Sequence, residues 1–223
     1  PQTNKFSVKP TRFYDLDRAK GLAIFLVVLG HLARESPPDN AWYGTLKQIV
    51  YLFHMPLFMF LSGVTMHLSY KPLATLASYP GYAAQKFIRL MPAFLLFGIL
   101  TLVGKMIASE FMQIDNLPSD WLEGLALIFF KPRHSTAGSL WYIYVLFMFY
   151  AMLPALHMLT RSNLWAMVAL GAAIHFVPVS DWFMLNGVAE YLVYLALGFL
   201  AAHYYSTWTY FLDKFALSLI AGF

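Results

Sequence analysis

The chain has 223 residues, 60% of them hydrophobic and only 12% charged, with a formal net charge of +4. Soluble domains carry roughly 25% charged residues, so this composition excludes an ordinary water-soluble globule and predicts an all-α, polytopic transmembrane bundle with about 20 apolar residues per span. It also excludes a membrane β-barrel, whose alternating short runs are missing, a basic nucleic-acid patch, and, with no cysteine anywhere, any disulfide frame or thiolate nucleophile.

In chain order, residues 1–14 form a polar arm with Lys5, Lys9 and Arg12. Together with Arg18 and Lys20 it predicts a cytoplasmic N-terminus by the positive-inside rule. The first apolar run is followed by no small-residue cleavage site and reads as a retained span, Ala19 to Ala33. Pro37, Pro38 and Asn40 mark an outer turn. Span 2 runs from Leu46 to Tyr70 and returns inward. The segment from Lys71 to Lys86, punctuated by Pro72, Pro80 and Gly81, reads as a cytoplasmic loop. Span 3 covers Phe87 to Ile107, and Glu110, Asp115 and Asp120 fit the outer side.

The run from Leu122 to Phe130 is too short to cross a bilayer and predicts a re-entrant or interfacial helix. Lys131 to Gly138 then stays outside, although Lys131 and Arg133 argue for the opposite side. Span 4 is Leu140 to Thr160, span 5 Asn163 to Val179 and span 6 Val188 to Tyr205. Phe211 to Phe223 begins a seventh, so the expectation is six complete spans and one single domain over residues 1–223 that is incomplete at its C-terminus. Trp42, Trp121, Trp141, Trp182 and Trp208 fall near the predicted boundaries, as interfacial aromatics do.

Polar groups inside these runs are the candidates for function, because polarity at membrane depth is costly unless it faces the bundle interior or water. Eleven helical steps separate Lys20 from His31; at about 100° per residue they return to within roughly 20° of one face, about 16 Å apart along the axis. Asp17 lies close to the same side. The stripe predicts the wall of a pocket crossing much of the membrane. In span 2, Phe53-His54-Met55-Pro56 precedes Ser62-Gly63. Pro56 removes a backbone donor and predicts a kink beyond His54. The antiparallel pairing of spans 1 and 2 predicts that His31 and His54 share a depth. An imidazole titrates near neutrality and can take a proton from a hydroxyl, while Lys20, Lys86 and Arg89 suit a phosphate-bearing ligand entering from the cytosol.

These residues are similar to the integral-membrane acyltransferase-3 family. The resemblance rests on a basic residue before a histidine, here Lys20 … Gly30-His31; on Phe53-His54-Met55-Pro56-Leu57-Phe58 with Ser62-Gly63; and on Lys86, Arg89, Leu90 and Pro92. Weaker matches are Leu140-Trp141-Tyr142 with Leu146-Phe147, and Tyr191 to Phe199. The resemblance implies transfer of an acyl group, most often acetyl from acetyl-CoA, to a hydroxyl of a cell-envelope sugar. It implies His31 as general base, Lys20 in place of the motif arginine, and Lys86 and Arg89 at the donor side; His54, read from its depth, is either a second catalytic imidazole or a residue that holds the pocket. A bacterial cytoplasmic membrane, with no metal and no nucleic-acid partner, is the accompanying expectation. Trp141 is not followed by the Ser-x-x-x-Glu pattern of the subgroup acting on lipopolysaccharide and peptidoglycan, which points to other glycans.

The alternatives are structural or of another class. Lys20 could be a snorkelling anchor. His67, His134, His157, His175 and His203 match no motif and read as packing or interfacial residues. Met55, Met59 and Met66 read as apolar filler, and Glu190 as interfacial. A proton-coupled transporter relaying through His31 and His54 is the rival function.

Overall fold

The computed structural model describes residues 14–31, 41–73, 75–115, 117–207, 209–210 and 214–215. Among these residues seven α-helices follow in order: α1 (Tyr14–His31), α2 (Ala41–Ser69), α3 (Tyr79–Ala108), α4 (Trp121–Phe130), α5 (Trp141–Leu159), α6 (Leu164–His175) and α7 (Leu185–His203). There is no strand among the described residues.

Among the described residues, four segments are long and apolar enough to cross a bilayer: Trp42–Ser69, Leu76–Ala108, Gly138–Leu159 and Trp182–His203. The six complete spans expected from the sequence are thus not all matched. The first helix has 18 residues and carries Asp15, Asp17, Arg18 and Lys20 in its opening turns. The sixth has 12 residues, about 18 Å at 1.5 Å per residue. It stops at Phe176 because Val177 precedes Pro178, and a residue before proline is pushed out of the α region. Apart from Lys214 and Phe215, the predicted seventh span lies outside the described residues, as does Trp208.

Helix ends also differ from expectation. Half of the loop predicted between Lys71 and Lys86 is helical, because Pro80 occupies the first turn of α3, where its missing N–H costs nothing and its fixed φ favours the helix. The second helix passes through Pro56 without interruption and begins five residues before the expected Leu46. His54 consequently sits near the middle of α2, about 20 Å from its first residue. The short helix α4 forms as expected. Its start is fixed by Asp120, whose side chain accepts from the Glu123 N–H at 2.7 Å, and by Glu123 Oε2, which accepts from both Ser119 N and Ser119 Oγ at 2.6 Å.

Those two bonds to Ser119 hold the Glu123 carboxyl below its ordinary range. A depressed acidic group contributes stability above its unfolded pKa and loses it as pH falls through the folded value. We therefore expect the first turn of α4 to fray on acidification below the normal carboxylate range. Hydrogen exchange at the Gly124 N–H, which bonds Asp120 O at 3.1 Å, should accelerate there, beyond the intrinsic pH trend, in the native protein and not in Glu123→Gln.

The packed centre is made by α2, α5, α6 and α7, around Met59, Met66, Phe149, Leu153, Met167, Leu195 and Phe199. Met59 and Met66 are fully buried core residues, whereas Leu52 at 79% and Ile88 at 71% exposure belong to the apolar outer surface that lipid solvates. Helices α2 and α7 make the closest approach. A Cβ on Gly63 would collide with the Leu195 carbonyl oxygen and one on Gly198 with the Phe60 carbonyl oxygen, so the two backbones touch at a small-residue crossing.

The connection from α4 to α5 is tied to α7 and the turn before it. Lys131 pairs with Asp181 at 3.5 Å, His134 Nε2 lies 3.1 Å from the same carboxylate, and Arg133 pairs with Glu190 at 3.6 Å. The two cations that argued for the inner side are therefore partnered within the protein, which weakens them as topology signals. Glu190, expected at an interface, is the carboxylate facing Arg133.

A candidate acyl-transfer shaft

Three cavities follow one another along the seam between α2 and α5. The one at the His54 end, called the outer cavity below, is about 380 Å³ and is lined by His54, Met55 and Tyr51 of α2, Val27 of α1, Trp141 and Tyr142 of α5, and Tyr191 of α7. The middle one, about 190 Å³, contains Lys20, Ser62, Thr65 and Tyr150. The one at the Lys86 end, called the inner cavity below, is about 120 Å³ and contains Ser69, Lys71, Tyr82 and Lys86. Phe58 and Tyr142 line both the outer and middle cavities, and Tyr150 lines both the middle and inner ones.

The helical repeat explains the alignment. Along α2, His54, Phe58, Ser62, Thr65 and Ser69 recur at steps of four or three, and along α5 Tyr142, Leu146, Tyr150 and Leu153 do the same, so each set occupies one face. From α1, Lys20, Ile24 and Val27 complete the wall. The next position in that row is His31, which ends α1. Its backbone is helical; its side chain lies outside the described residues.

His54 is 6% exposed, and its Nδ1 lies 2.8 Å from the Val50 carbonyl oxygen. A carbonyl can only accept, so Nδ1 carries the proton in this contact and Nε2 of the neutral ring is the basic nitrogen. Tyr51 packs edge-on against the imidazole at 5.0 Å. Beside it the outer cavity has an aromatic wall, with Trp141 stacked on Tyr191 at 5.3 Å and the Arg133 guanidinium 4.9 Å from the Trp141 ring.

At the other end, the Lys86 ammonium lies 4.7 Å from the Tyr150 ring centroid and 5.3 Å from that of Tyr82. Cation–π contacts of this kind are worth about 0.5–1 kcal/mol when exposed and more when desolvated. The Tyr82 hydroxyl donates to the Tyr150 carbonyl at 3.0 Å, which fixes the aromatic pair. Lys71, given no role from the sequence, lines the same cavity.

The structure thus joins Lys20, His54 and Lys86 to one row of cavities. Lys20 lines the middle cavity and not the one that holds Lys86. Arg89 is exposed and, like Asp17, lines none of the three. Sequence reasoning missed Tyr82, Tyr150 and Lys71. The only available signal was the three-four spacing of aromatic and hydroxyl side chains on two separate helices, which looks like ordinary packing until the helices are paired.

The chain is similar to the nodulation protein NolL of Mesorhizobium japonicum, 27% identical over 172 residues that make up 76% of this chain and 42% of that protein. It is also similar to the nodulation protein NolL of Sinorhizobium fredii, 48% identical over 50 residues, 21% of this chain and 14% of that one. The chain therefore spans less than half the length of these curated relatives. No solved structure matches significantly. The acyltransferase-3 model, described as an acyltransferase domain, matches residues 13–223, which include all three cavities, and the chain belongs to that family.

Proposed function

We propose that this chain is the membrane core of an O-acyltransferase moving an acyl group, acetyl in the simplest case, from acyl-CoA to a hydroxyl of a cell-envelope carbohydrate. The observation that supports it best is the row of cavities with lysines at one end and an imidazole at the other. Lys86 and Lys71, with the exposed Arg89 one turn beyond Lys86 on α3, suit the phosphates of the donor. Lys20 carries positive charge further along the donor's path. His31, in the same α1 row, takes the proton of the acceptor hydroxyl as its oxygen attacks the thioester carbonyl. The tetrahedral intermediate expels the CoA thiolate, which recovers that proton from the imidazolium. His54 is the second imidazole of this centre. The N-terminus lies in the cytosol and the protein in a bacterial inner membrane, so that the donor enters from inside and the acceptor is met near the outer side.

Purified protein in liposomes should transfer label from radioactive acetyl-CoA into covalent linkage with a saccharide acceptor. His31→Ala should abolish transfer while leaving insertion and elution profile unchanged. Solute flux without a covalent product would replace the enzyme with a proton-coupled carrier relaying through His31 and His54. Undiminished transfer by His31→Ala would remove His31 as the base.

A further inference from the structure

Between the lysine of the middle cavity and the imidazole of the outer one stands a single aromatic layer. The Tyr142 hydroxyl of α5 lies 2.6 Å from the Ser62 hydroxyl of α2, a bond between side chains eighty residues apart in sequence. Phe58 packs against the Tyr142 ring at 5.5 Å, with the planes at 64°. Phe58 and Tyr142 are the residues common to both cavities, whereas Lys20 and Ser62 line only the middle one and His54 only the outer one of the two.

We propose that Tyr142 is a door across the shaft, latched to Ser62, that keeps the middle and outer cavities apart until its ring swings aside. Three features make it a door and not simply core. The ring is flanked by open volume on both sides, about 380 Å³ and 190 Å³, so it can leave its place without creating a dry void. Its hydroxyl is held by one hydrogen bond to a short side chain, a neutral contact of modest net strength. A tyrosine side chain moves about two torsions only, so opening needs no helix to unfold. In the acyl-transfer scheme, which is a separate reading, the door decides when a group carried past Lys20 reaches His54, and it keeps outer water off the donor meanwhile.

The chain contains no cysteine, so introduced thiols report passage directly. Thr65→Cys places a thiol in the middle cavity and Ser139→Cys one in the outer. In sealed vesicles, a small charged methanethiosulfonate should reach Cys at 65 from one face of the membrane and Cys at 139 from the other. Adding Tyr142→Ala should raise the reaction from the opposite face at least tenfold at both positions. Tyr142→Phe and Ser62→Ala, which keep the ring and release the latch, should give a smaller rise in the same direction, and they carry the test if Tyr142→Ala does not fold. Equal access from both faces in the otherwise unaltered protein, or one-sided access that none of the three substitutions relaxes, overturns the door. This assay needs no substrate. A protein that transfers no acyl group can still pass it, and a door that fails it leaves the acyltransferase reading standing.

Discussion

Replacing His54 by asparagine should lower the rate of acyl transfer by about 10²–10⁴-fold, the usual contribution of a positioned proton-transfer group, with the protein still folded and inserted. Asparagine is the informative substitution because its side-chain N–H can occupy the place of Nδ1. That nitrogen lies 2.8 Å from the Val50 carbonyl in the native protein, so the variant keeps the local hydrogen bond and loses only the basic nitrogen. Glutamine does the converse, with a polar atom near Nε2 and nothing at Nδ1. If His54 acts only by holding the helix and the pocket wall, Asn should retain most activity and Gln should lose it. If Nε2 handles a proton, both should fail, and the failure should lie in kcat more than in the donor's KM. The His54→Ala variant is less useful. It opens a void beside Tyr51, which packs on the ring at 5.0 Å, and mixes loss of chemistry with loss of packing.

The separation between what the sequence reveals and what needs coordinates follows from which interactions are local. Lys20 and His31 are on one helix, so the 3.6-residue turn alone aligns their positions. The short helix at Trp121–Phe130 was legible because its length excludes a span; the cap that starts it, Asp120 accepting from the Glu123 N–H, is a structural finding. The door was not legible. Ser62 and Tyr142 each sit inside a motif with an adequate explanation of its own, and only the pairing of α2 with α5 brings their hydroxyls to 2.6 Å. The start of α2 expected at Leu46 falls short because the helix extends back to Ala41, which puts His54 near its middle. Tyr43 explains the extra turns: it is 8% exposed and its hydroxyl donates to the Leu29 carbonyl of α1 at 2.9 Å, a tertiary contact invisible to hydropathy. Lys131 and Arg133 misdirect a charge count for the same reason, since their partners Asp181 and Glu190 lie about fifty residues away.

Adding one methyl group at Gly198 should disrupt the whole arrangement, including the shaft it never touches. An alanine Cβ there would overlap the Phe60 carbonyl oxygen and come within 2.9 Å of the Val64 nitrogen; at Gly63 it would overlap the Leu195 carbonyl oxygen and approach the Gly198 Cα at 3.1 Å. The obstacles are backbone atoms of helices, which cannot rotate away as a side-chain tip can. The helices must separate, and overpacking of this kind costs about 1–3 kcal/mol, occasionally more. Separation would also move the face of α2 that carries His54, Phe58 and Ser62, so activity should fall with stability. Gly104 supplies the control, because a Cβ there meets nothing within 4 Å. In a helix interior, Gly→Ala at an open site gains about 1 kcal/mol from propensity. The midpoint of thermal unfolding in detergent should therefore drop for Gly198→Ala and Gly63→Ala and hold or rise for Gly104→Ala. The double variant of Gly63 and Gly198 should lose less than the sum of the two single losses, because one separation of α2 from α7 relieves both collisions.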